Sequence, residues 1–400
     1  MKKLMMLSCV LAMSAVFVGC NKAPKVPEDT LVAVYVDIPQ AAENIGDFFS
    51  SAVDQLPDSK REKAEKMLEK ITSSSEDDLK ALRPEWMVAV VCGDEKNSPR
   101  SAYIVKCDYE AEIPGFGDKS LKDVYADLCE GKEKVNGETV YMLQDGAITY
   151  VERKGDMYMI VCDWYGSWDE RGEKMLSNLI DIYRDDKGDV SEDFDDLNKL
   201  DGDAIARVQT AKVRTLFESF GFKNNLEKFA EKSGDEDFIE DILDGENLTL
   251  DIVLSGDEVG MKFEFEAGSK ELAKAIEGVF NIGAVTCRTT LDMVTFATAF
   301  SKKEAREKLP RDLYRLKTDV NLDDYDEQVK AVSKLLRDGV EVDRSGSFVT
   351  AEILIDTDDL LAEIIPVCKD EFFGVLEVAS ADIEESDEDG FSLIKNLILN

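Results

Sequence analysis

Apolar residues along this chain follow two periods, and each change of period marks the start of a new predicted element. Leu31–Ile38 is a nearly continuous apolar run rich in β-branched residues, which predicts a buried strand. From Ala41 to Ser73 apolar residues recur every three or four positions, with a break at Pro57, and this spacing predicts two helices. Further strands are predicted at Trp86–Cys92, Ala102–Cys107, Thr139–Leu143, Ala147–Arg153 and Met157–Cys162, with helices at Leu121–Leu128 and Asp169–Tyr183.

The same order of elements is predicted a second time. It begins with strand Ala204–Val208 and closes with helix Leu272–Phe280 and strand Met293–Phe300. A third piece, from helix Tyr325–Leu336 to helix Leu360–Val367, extends this second group. Only the order of elements repeats, so chance alternation of strands and helices is the alternative explanation. We predict an α+β fold of two related units, each an antiparallel sheet with helices packed on one face.

Polar stretches between the elements predict the domain bounds. Residues 1–19 form a signal peptide, 20–29 a lipidated tether, 30–188 the first α+β unit and 189–380 the second. Residues 381–400 form an acidic segment followed by a C-terminal apolar segment. The acidic run Asp185–Asp196 is predicted to be a solvated linker or exposed helix, since runs of like charge are usually solvated.

The N-terminus carries the most specific pattern in the sequence. Lys2 and Lys3 precede an uncharged, mostly apolar stretch, Leu4–Val18, that ends in Gly19 and Cys20. A membrane-crossing helix needs about 20 apolar residues, and this run is shorter and is followed at once by a polar segment. The pattern is typical of a signal peptide that ends in a lipobox. We predict cleavage before Cys20 and acylation of its thiol, and simple secretion is the alternative.

The residue after the predicted anchor indicates the destination. Asn21 stands at this position where Asp would signal retention in the best-known sorting system, and this resembles an outer-membrane address. We therefore expect a lipoprotein of the cell envelope, in the outer membrane, that faces the periplasm or the cell surface. Its expected partners are the membrane, through the lipid anchor, and an envelope protein or the cell wall.

Charge and composition exclude several classes of function. The chain has 85 acidic and 48 basic residues, a net charge of −37, so nucleic acid is excluded as a partner by repulsion. The sequence contains 0 histidines, which removes Ser-His-Asp triads, Cys-His dyads and His-ligated zinc. Hydrophobic residues make up 44% of the chain, which favours folded cores. We expect no cofactor and no enzyme, with a carboxylate-based hydrolase as the remaining catalytic option.

Cysteine spacing gives no evidence for a zinc or redox motif. Of the 8 cysteines, Cys9 belongs to the signal peptide and Cys20 takes the lipid. The others are Cys92, Cys107, Cys129, Cys162, Cys287 and Cys368. Because no two of them form a C-x-x-C pair and several end apolar strands, we expect buried free thiols. A disulfide among them is the alternative, since an exported protein meets oxidants, and the sequence does not define the pairing.

A partial calcium-loop pattern supplies the weak metal candidate of this sequence. Glu385, Asp387 and Asp389 precede Gly390 with the alternate spacing of carboxylates in the first half of such a loop. The second half does not match, because the twelfth position is Asn396, which cannot provide a bidentate carboxylate. We therefore interpret this stretch as a solvated acidic segment and expect no metal.

Aromatic residues suggest one further surface. Trp86 alternates with valines and is predicted to lie in the core. Trp164, Tyr165 and Trp168 lie between a strand and a helix, where with Tyr158 they are the candidates for a ligand-stacking platform. Ordinary packing is the alternative for all of them.

Two segments resemble a known group of proteins. The entry Val26–Ile38, a proline, two acids and a threonine before an apolar strand, resembles uncharacterised bacterial envelope proteins of duplicated α+β architecture. The hairpin of Gly137–Tyr141 and Ala147–Tyr150 is similar to theirs. That resemblance implies a two-unit fold and assigns no catalytic residues.

These observations together predict a non-catalytic lipoprotein that acts through its folded surface. The rival hypothesis is a ligand- or lipid-binding protein whose sheets enclose an apolar cavity. The two hypotheses differ in the interior of the units, which is solid in the first and hollow in the second.

Overall fold

The computed structural model describes most of the chain between residues 24 and 389. The described ranges are 24–93, 99–113, 119–143, 146–163, 169–199, 202–209, 249–254, 258–267, 269–298, 302–309 and 339–389, with a few single positions between 212 and 336. By their internal contacts the residues group into two compact units. The first takes residues from 1–46, 69–253 and 380–400, and the second from 47–68 and 254–379.

The elements of the first unit alternate short strands with a few helices. The strands are β1 (Thr30–Asp37), β2 (Trp86–Cys92), β3 (Arg100–Lys106), β4 (Glu112–Ile113), β5 (Lys119–Ser120), β6 (Gly131–Val135), β7 (Glu138–Met142), β8 (Gly146–Arg153), β9 (Asp156–Asp163), β10 (Ala204–Gln209) and β11 (Thr249–Leu254). Helices α1 (Ile38–Asp54) and α2 (Asp58–Leu82) contribute residues to both units. Helices α3 (Leu121–Leu128) and α4 (Glu170–Ile180) follow, and a π-helical turn, Asp181–Asp185, extends α4.

The sheet of the first unit joins strands that are distant in sequence. Its order is β11-β10-β1-β2-β3-β9-β8-β7-β6, and each of its pairings with a described register is antiparallel. One row of paired residues crosses this sheet, namely Ile205, Tyr35, Val88, Ile104, Ile160, Thr149 and Val140. All seven side chains are buried. The sheet face that carries this row packs against a large cluster of buried hydrophobic residues in the first unit, which we call the main core.

Helices cover both faces of this sheet. On the face of the buried row, α4 packs Leu176 and Leu179 into the main core. On the opposite face, Leu121 of α3 packs against Ile148 and Tyr150 of β8. This differs from the predicted single helical face. Since β8 is buried from Gly146 to Val151, both of its faces need apolar cover. The α+β class and the antiparallel pairing are confirmed.

Polar caps fix where the two short helices begin. The Ser120 hydroxyl accepts a hydrogen bond from the Asp123 backbone N–H at 3.2 Å, and the Asp123 carboxylate accepts one from the Ser120 N–H at 3.3 Å. This reciprocal capping starts α3. Asp169 likewise accepts backbone hydrogen bonds from Arg171 and Gly172 at the start of α4. Both helices therefore begin at residues whose side chains satisfy otherwise unpaired backbone donors.

The boundary between the units differs from the predicted one. Residues after Gly188 still belong to the first unit, because Phe194 and Leu197 are fully buried in its main core. These two residues lie in short 3-10 helices, Glu192–Phe194 and Leu197–Lys199. The acidic run Asp185–Asp196 is therefore packed at its apolar positions, and only its carboxylates suggested a solvated linker. Strand β10 then pairs with β1, which continues the first unit well past residue 189.

Three described strands of the second unit are joined by antiparallel pairing. Its described elements are β12 (Glu258–Glu266), α5 (Lys270–Thr298), α6 (Lys302–Lys308), β13 (Val340–Ser345), β14 (Phe348–Asp356) and α7 (Thr357–Asp389), of which the last residues, from Ser380, group with the first unit. β14 lies between β12 and β13. α5 packs on this sheet through Ala273, Ile276 and Ala284, which are buried, and the Phe280 ring lies 5.2 Å from that of Phe265.

Helix α5 corrects one predicted strand. Met293–Phe300 was predicted to be extended, but the helix continues from Lys270 to Thr298. A short apolar run is compatible with the period of a strand or of a helix. Here the run is helical because the helix that precedes it continues through it. The predicted hairpin of β13 and β14 is confirmed by its register. The predicted helices between 213 and 243 and at 325–336 lie largely outside the described residues.

Replacement of Ile160 tests the buried row. We expect Ile160→Ala to lower the free energy of unfolding by about 2–5 kcal/mol, because a fully buried side chain is truncated beneath a packed helix. Ile282→Ala is the matched control, since Ile282 is 70% exposed, and it should change stability little. Urea denaturation of both variants measures the difference. Equal effects would show that the row does not carry the core.

Candidate functional site

The chain is fixed to the first unit almost as soon as the described residues begin. The Val26 side chain is 1% exposed, and its carbonyl accepts a hydrogen bond from the Ser191 N–H at 3.0 Å. Pro27 forms an isolated antiparallel β-bridge with Val190, and the Glu28 N–H donates a hydrogen bond to the Asp189 carbonyl at 3.1 Å. Residues 25–29 are therefore part of the folded unit. The second half of the predicted tether, 20–29, is therefore packed against the first unit.

Lys25 is held at both its backbone and its side chain. The buried Tyr183 hydroxyl donates to the Lys25 carbonyl at 2.7 Å. The Lys25 ammonium lies 2.8 Å from Asp186 Oδ1, and Arg153 pairs with the other oxygen of that carboxylate. We call Tyr183, Asp186, Asp189 and Ser191 the N-terminal clamp. All four residues lie within eleven positions after the end of α4. One short segment of the chain therefore holds the first described residues.

Packing fixes the position of the clamp. The Tyr183 ring lies 5.0 Å from the Tyr158 ring and 6.3 Å from the Trp86 ring, measured between centroids. Asp186 adopts a left-handed backbone with φ of 57° and ends the π-helical turn. The aromatic contacts hold the tyrosine, and the turn directs the acidic side chain towards Lys25. Trp86 is 3% exposed, which confirms the prediction that it lies in the core.

Two cations, Lys25 and Arg153, keep the Asp186 carboxylate of the clamp ionised. Hydrogen bonds from Lys25 and then from Arg153 lower the pKa of the Asp186 carboxyl to about 2. At neutral pH this carboxylate therefore stays charged and keeps both cations as partners.

A polar cleft of about 830 Å³ lies beside the clamp. Its wall runs from Pro27 past the end of β2 and along α4 to Asp189. Arg100 in this wall pairs with Asp169 at 2.6 Å. A backbone hydrogen bond from Gly172, followed by the Arg171 side chain, lowers the pKa of Asp169 to about 2. The basic groups at this end of the cleft are thus already engaged by acids of the same unit.

Burial makes two cysteines of the first unit, Cys92 and Cys107, poorly reactive. Cys92 lines the cleft, and burial together with the nearby Asp29 raises the pKa of its thiol well above the ordinary value. Burial raises the pKa of Cys107 to about 12. Among the described residues, Cys92, Cys107, Cys129, Cys162 and Cys287 are not joined in disulfides. A protonated buried thiol is a poor nucleophile and a poor metal ligand.

The residues that the sequence nominated for lipid attachment or metal binding lie either before the described residues or in helix α7. Cys20 lies before the described residues, as does the whole predicted signal peptide. Glu385, Asp387 and Asp389 belong to the last turns of α7, whereas a calcium loop requires non-helical backbone at these positions. Within the described ranges no three acidic, cysteine or histidine residues are grouped to hold a metal ion.

The remaining predictions concern the aromatic platform and the membrane-crossing potential of the helices. Trp164, Tyr165 and Trp168 lie outside the described residues, and Tyr158, their predicted neighbour, packs against Tyr183 in the main core. In the part of the chain that the structure describes, each helix is too short or too polar to cross a bilayer.

The clamp was not predicted from the sequence. Its one available signal was the apolar Val190 and Phe194 inside the acidic run Asp185–Asp196. Isolated apolar residues in a charged run do not reveal their partners, and the contact with Val26 spans more than 160 positions.

Comparisons with known proteins give a structural likeness but no match in sequence. No protein-family model matches the chain, and no curated protein matches it. Crystal form I of the protein TP0453 is similar to 84% of this chain and 93% of its own, with 12% sequence identity and a TM-score of 0.32. A similarity of this level assigns no family, activity or partner to the chain.

Removal of the Tyr183 hydroxyl tests the clamp. We expect Tyr183→Phe to destabilise the clamp by about 0.5–1.5 kcal/mol, since the Lys25 carbonyl loses its donor. Limited trypsin digestion should then cut faster after Lys25. Tyr150→Phe is the matched control, because its hydroxyl donates to Leu121 on the opposite face of the sheet. Cleavage that accelerates equally in both variants would contradict the assignment.

The Asp186 ion pairs predict a pH dependence. Because the folded pKa of about 2 lies below the unfolded value, these pairs stabilise the fold fully above about pH 4. Their contribution is lost as the pH falls towards 2. Asp186→Asn keeps the left-handed backbone that asparagine tolerates and removes the charge. The urea midpoint of this variant should lie below that of the original chain at pH 7, and the gap should close in acid.

Proposed function

We propose that this chain is a membrane-anchored lipoprotein of the cell envelope, acylated at Cys20. It acts without catalysis, through its folded surface, on an envelope protein or the cell wall. The observation that carries the proposal is the packing of residues 25–29 directly after the lipobox pattern. That packing joins the proposed lipid to the folded first unit through a short segment instead of a long tether.

The length of chain between lipid and clamp sets how far the body can move from the bilayer. Five residue steps separate Cys20 from Lys25, the first residue that the clamp holds, and each step of an extended chain spans at most about 3.6 Å. The clamp therefore lies within about 18 Å of the acyl chains. A partner for this protein is therefore expected at or near the same membrane surface.

Charge explains why such a protein uses a covalent anchor. The net charge of −37 repels the body from anionic headgroups, so the electrostatic attraction that holds basic peripheral proteins does not operate here. Two or three acyl chains supply stable attachment without any attraction by charge. A short tether keeps the acidic body close to headgroups that repel it, and the lipid supplies the attachment that overcomes this repulsion.

The non-catalytic role rests on what the cleft offers. Arg100, which lines it, is engaged by Asp169, and the thiol of Cys92 has a raised pKa. The sequence has 0 histidines to move protons near neutral pH. The rival function, a ligand carrier with an apolar cavity, needs a hollow interior, whereas the described core of the first unit is packed on both faces of its sheet.

Acylation at Cys20 tests the proposal directly. We expect mass spectrometry of the protein from its native host to find a chain that begins at an acylated Cys20. Cys20→Ser should abolish this modification and move the protein out of the membrane fraction. Cys9→Ser, which alters the cysteine inside the predicted signal peptide, is the matched control and should remain in the membrane. An unmodified thiol at position 20, or an intact Met1, would refute the proposal.

A further inference from the structure

Helix α5 of the second unit exposes an unusual apolar face. Among the described residues, seven large hydrophobic side chains are exposed, and five of them belong to this helix. They are Val279 at 54%, Ile282 at 70%, Val285 at 61%, Met293 at 42% and Phe296 at 56% exposure. A residue turns about 100° along a helix, so these five fall within an arc of roughly 120° and extend over about 26 Å. They form a continuous stripe, which we call the outer face of α5.

The outer face lies opposite the side of α5 that packs on its own sheet. Ala273, Ile276 and Ala284 are buried there, and they lie about half a turn away from the outer face. Glu277 pairs with Arg344 of β13 at 2.5 Å. The helix is therefore apolar on two sides, and a helix of this kind is normally covered on both.

Charge is absent from the centre of the outer face. No charged residue occurs from Gly278 to Cys287, in a chain of which 33% is charged. Arg288, at the end of this stretch, donates to the Val340 carbonyl of the sheet. Over its whole length α5 has as many basic as acidic residues. The outer face is thus a neutral region of a protein with a net charge of −37.

The hydroxyl groups on this face do not require water. Thr286, Thr289 and Thr290 each donate to the carbonyl four residues earlier in the helix, all at 2.8 Å. Such internal bonds satisfy a threonine hydroxyl where no outside acceptor exists. Apolar side chains and internally bonded hydroxyls together suit contact with hydrocarbon.

We propose that the outer face of α5 lies on the lipid bilayer, with its apolar side chains between headgroups and acyl chains. The proposed anchor, on which this inference rests, keeps the body near the bilayer and so raises the local concentration of lipid around it. A second copy of the chain is disfavoured as the occupant, because two bodies of this charge repel each other. A neutral face on an acidic protein selects zwitterionic lipid over anionic lipid.

Vesicle flotation without the anchor tests the outer face. The chain from Asn21 to Asn400 retains every described residue and lacks the acyl group. We expect it to float with small vesicles of phosphatidylcholine, and to float less with vesicles rich in phosphatidylglycerol. The double variant Ile282→Asp with Val285→Asp should lower the vesicle partition coefficient at least about tenfold, because two apolar contacts are replaced by charges.

A matched control separates this effect from a general change of charge. Leu128→Asp with Phe348→Asp adds the same charge at exposed apolar residues of 39% and 51% exposure on other elements. This control should float like the original chain. Thermal unfolding midpoints check that both double variants remain folded.

Several results would overturn the inference. The original chain failing to float is one, and equal loss of flotation in the two double variants is another. A dimer in sedimentation that dissociates only in the Ile282→Asp and Val285→Asp variant would assign the face to a second copy. None of these results bears on the anchor, since acylation of Cys20 is measured separately by mass spectrometry.

Discussion

Apolar burial on both sides of β8 and its neighbours is the constraint on which the first unit depends. In β8, Ile148 faces α3 and the adjacent Thr149 belongs to the buried row on the other side. A sheet buried on one face would leave half of these residues in water. Helix α4 and the 3-10 helices after it supply the second cover. The clamp is a consequence of that cover, because the chain that leaves α4 crosses the main core and meets the N-terminal segment.

Electrostatics acts locally in a protein that repels itself as a whole. Basic residues are fewer than acidic ones, and three of those in the first unit join separate segments of the chain. Lys25 and Arg153 share Asp186, while Arg100 pairs with Asp169 at the start of α4. Exposed pairs of this kind contribute modestly to stability. Their value lies in position, since each of them connects parts of the chain that are remote in sequence.

Two features give the proposed lipoprotein a defined relation to its membrane. The packed segment after Cys20 limits how far the first unit can lie from the acyl chains. The outer face of α5 offers the second unit a lipid contact that does not depend on charge. Both features suit a body that the anionic surface would otherwise repel.

The sequence by itself determined the local elements and the class of fold. Leu31–Ile38, Trp86–Cys92 and the hairpin of β13 with β14 follow from apolar runs and turn residues, because strand periodicity is a local property. Alternation with valines placed Trp86 in the core. The lipobox pattern, which is also local, nominated Cys20 as the lipid attachment site.

Only the tertiary structure decided which segments meet. The contact of Val26 with the chain around Val190, the second helical face of the first sheet and the unit boundary all depend on partners far away in sequence. Met293 and its neighbours became helical because the preceding helix continued, although their β-branched neighbours favoured a strand. Local propensity is weak beside such contacts, and a charged run such as Asp185–Asp196 conceals apolar residues whose role depends on a partner more than 160 positions away.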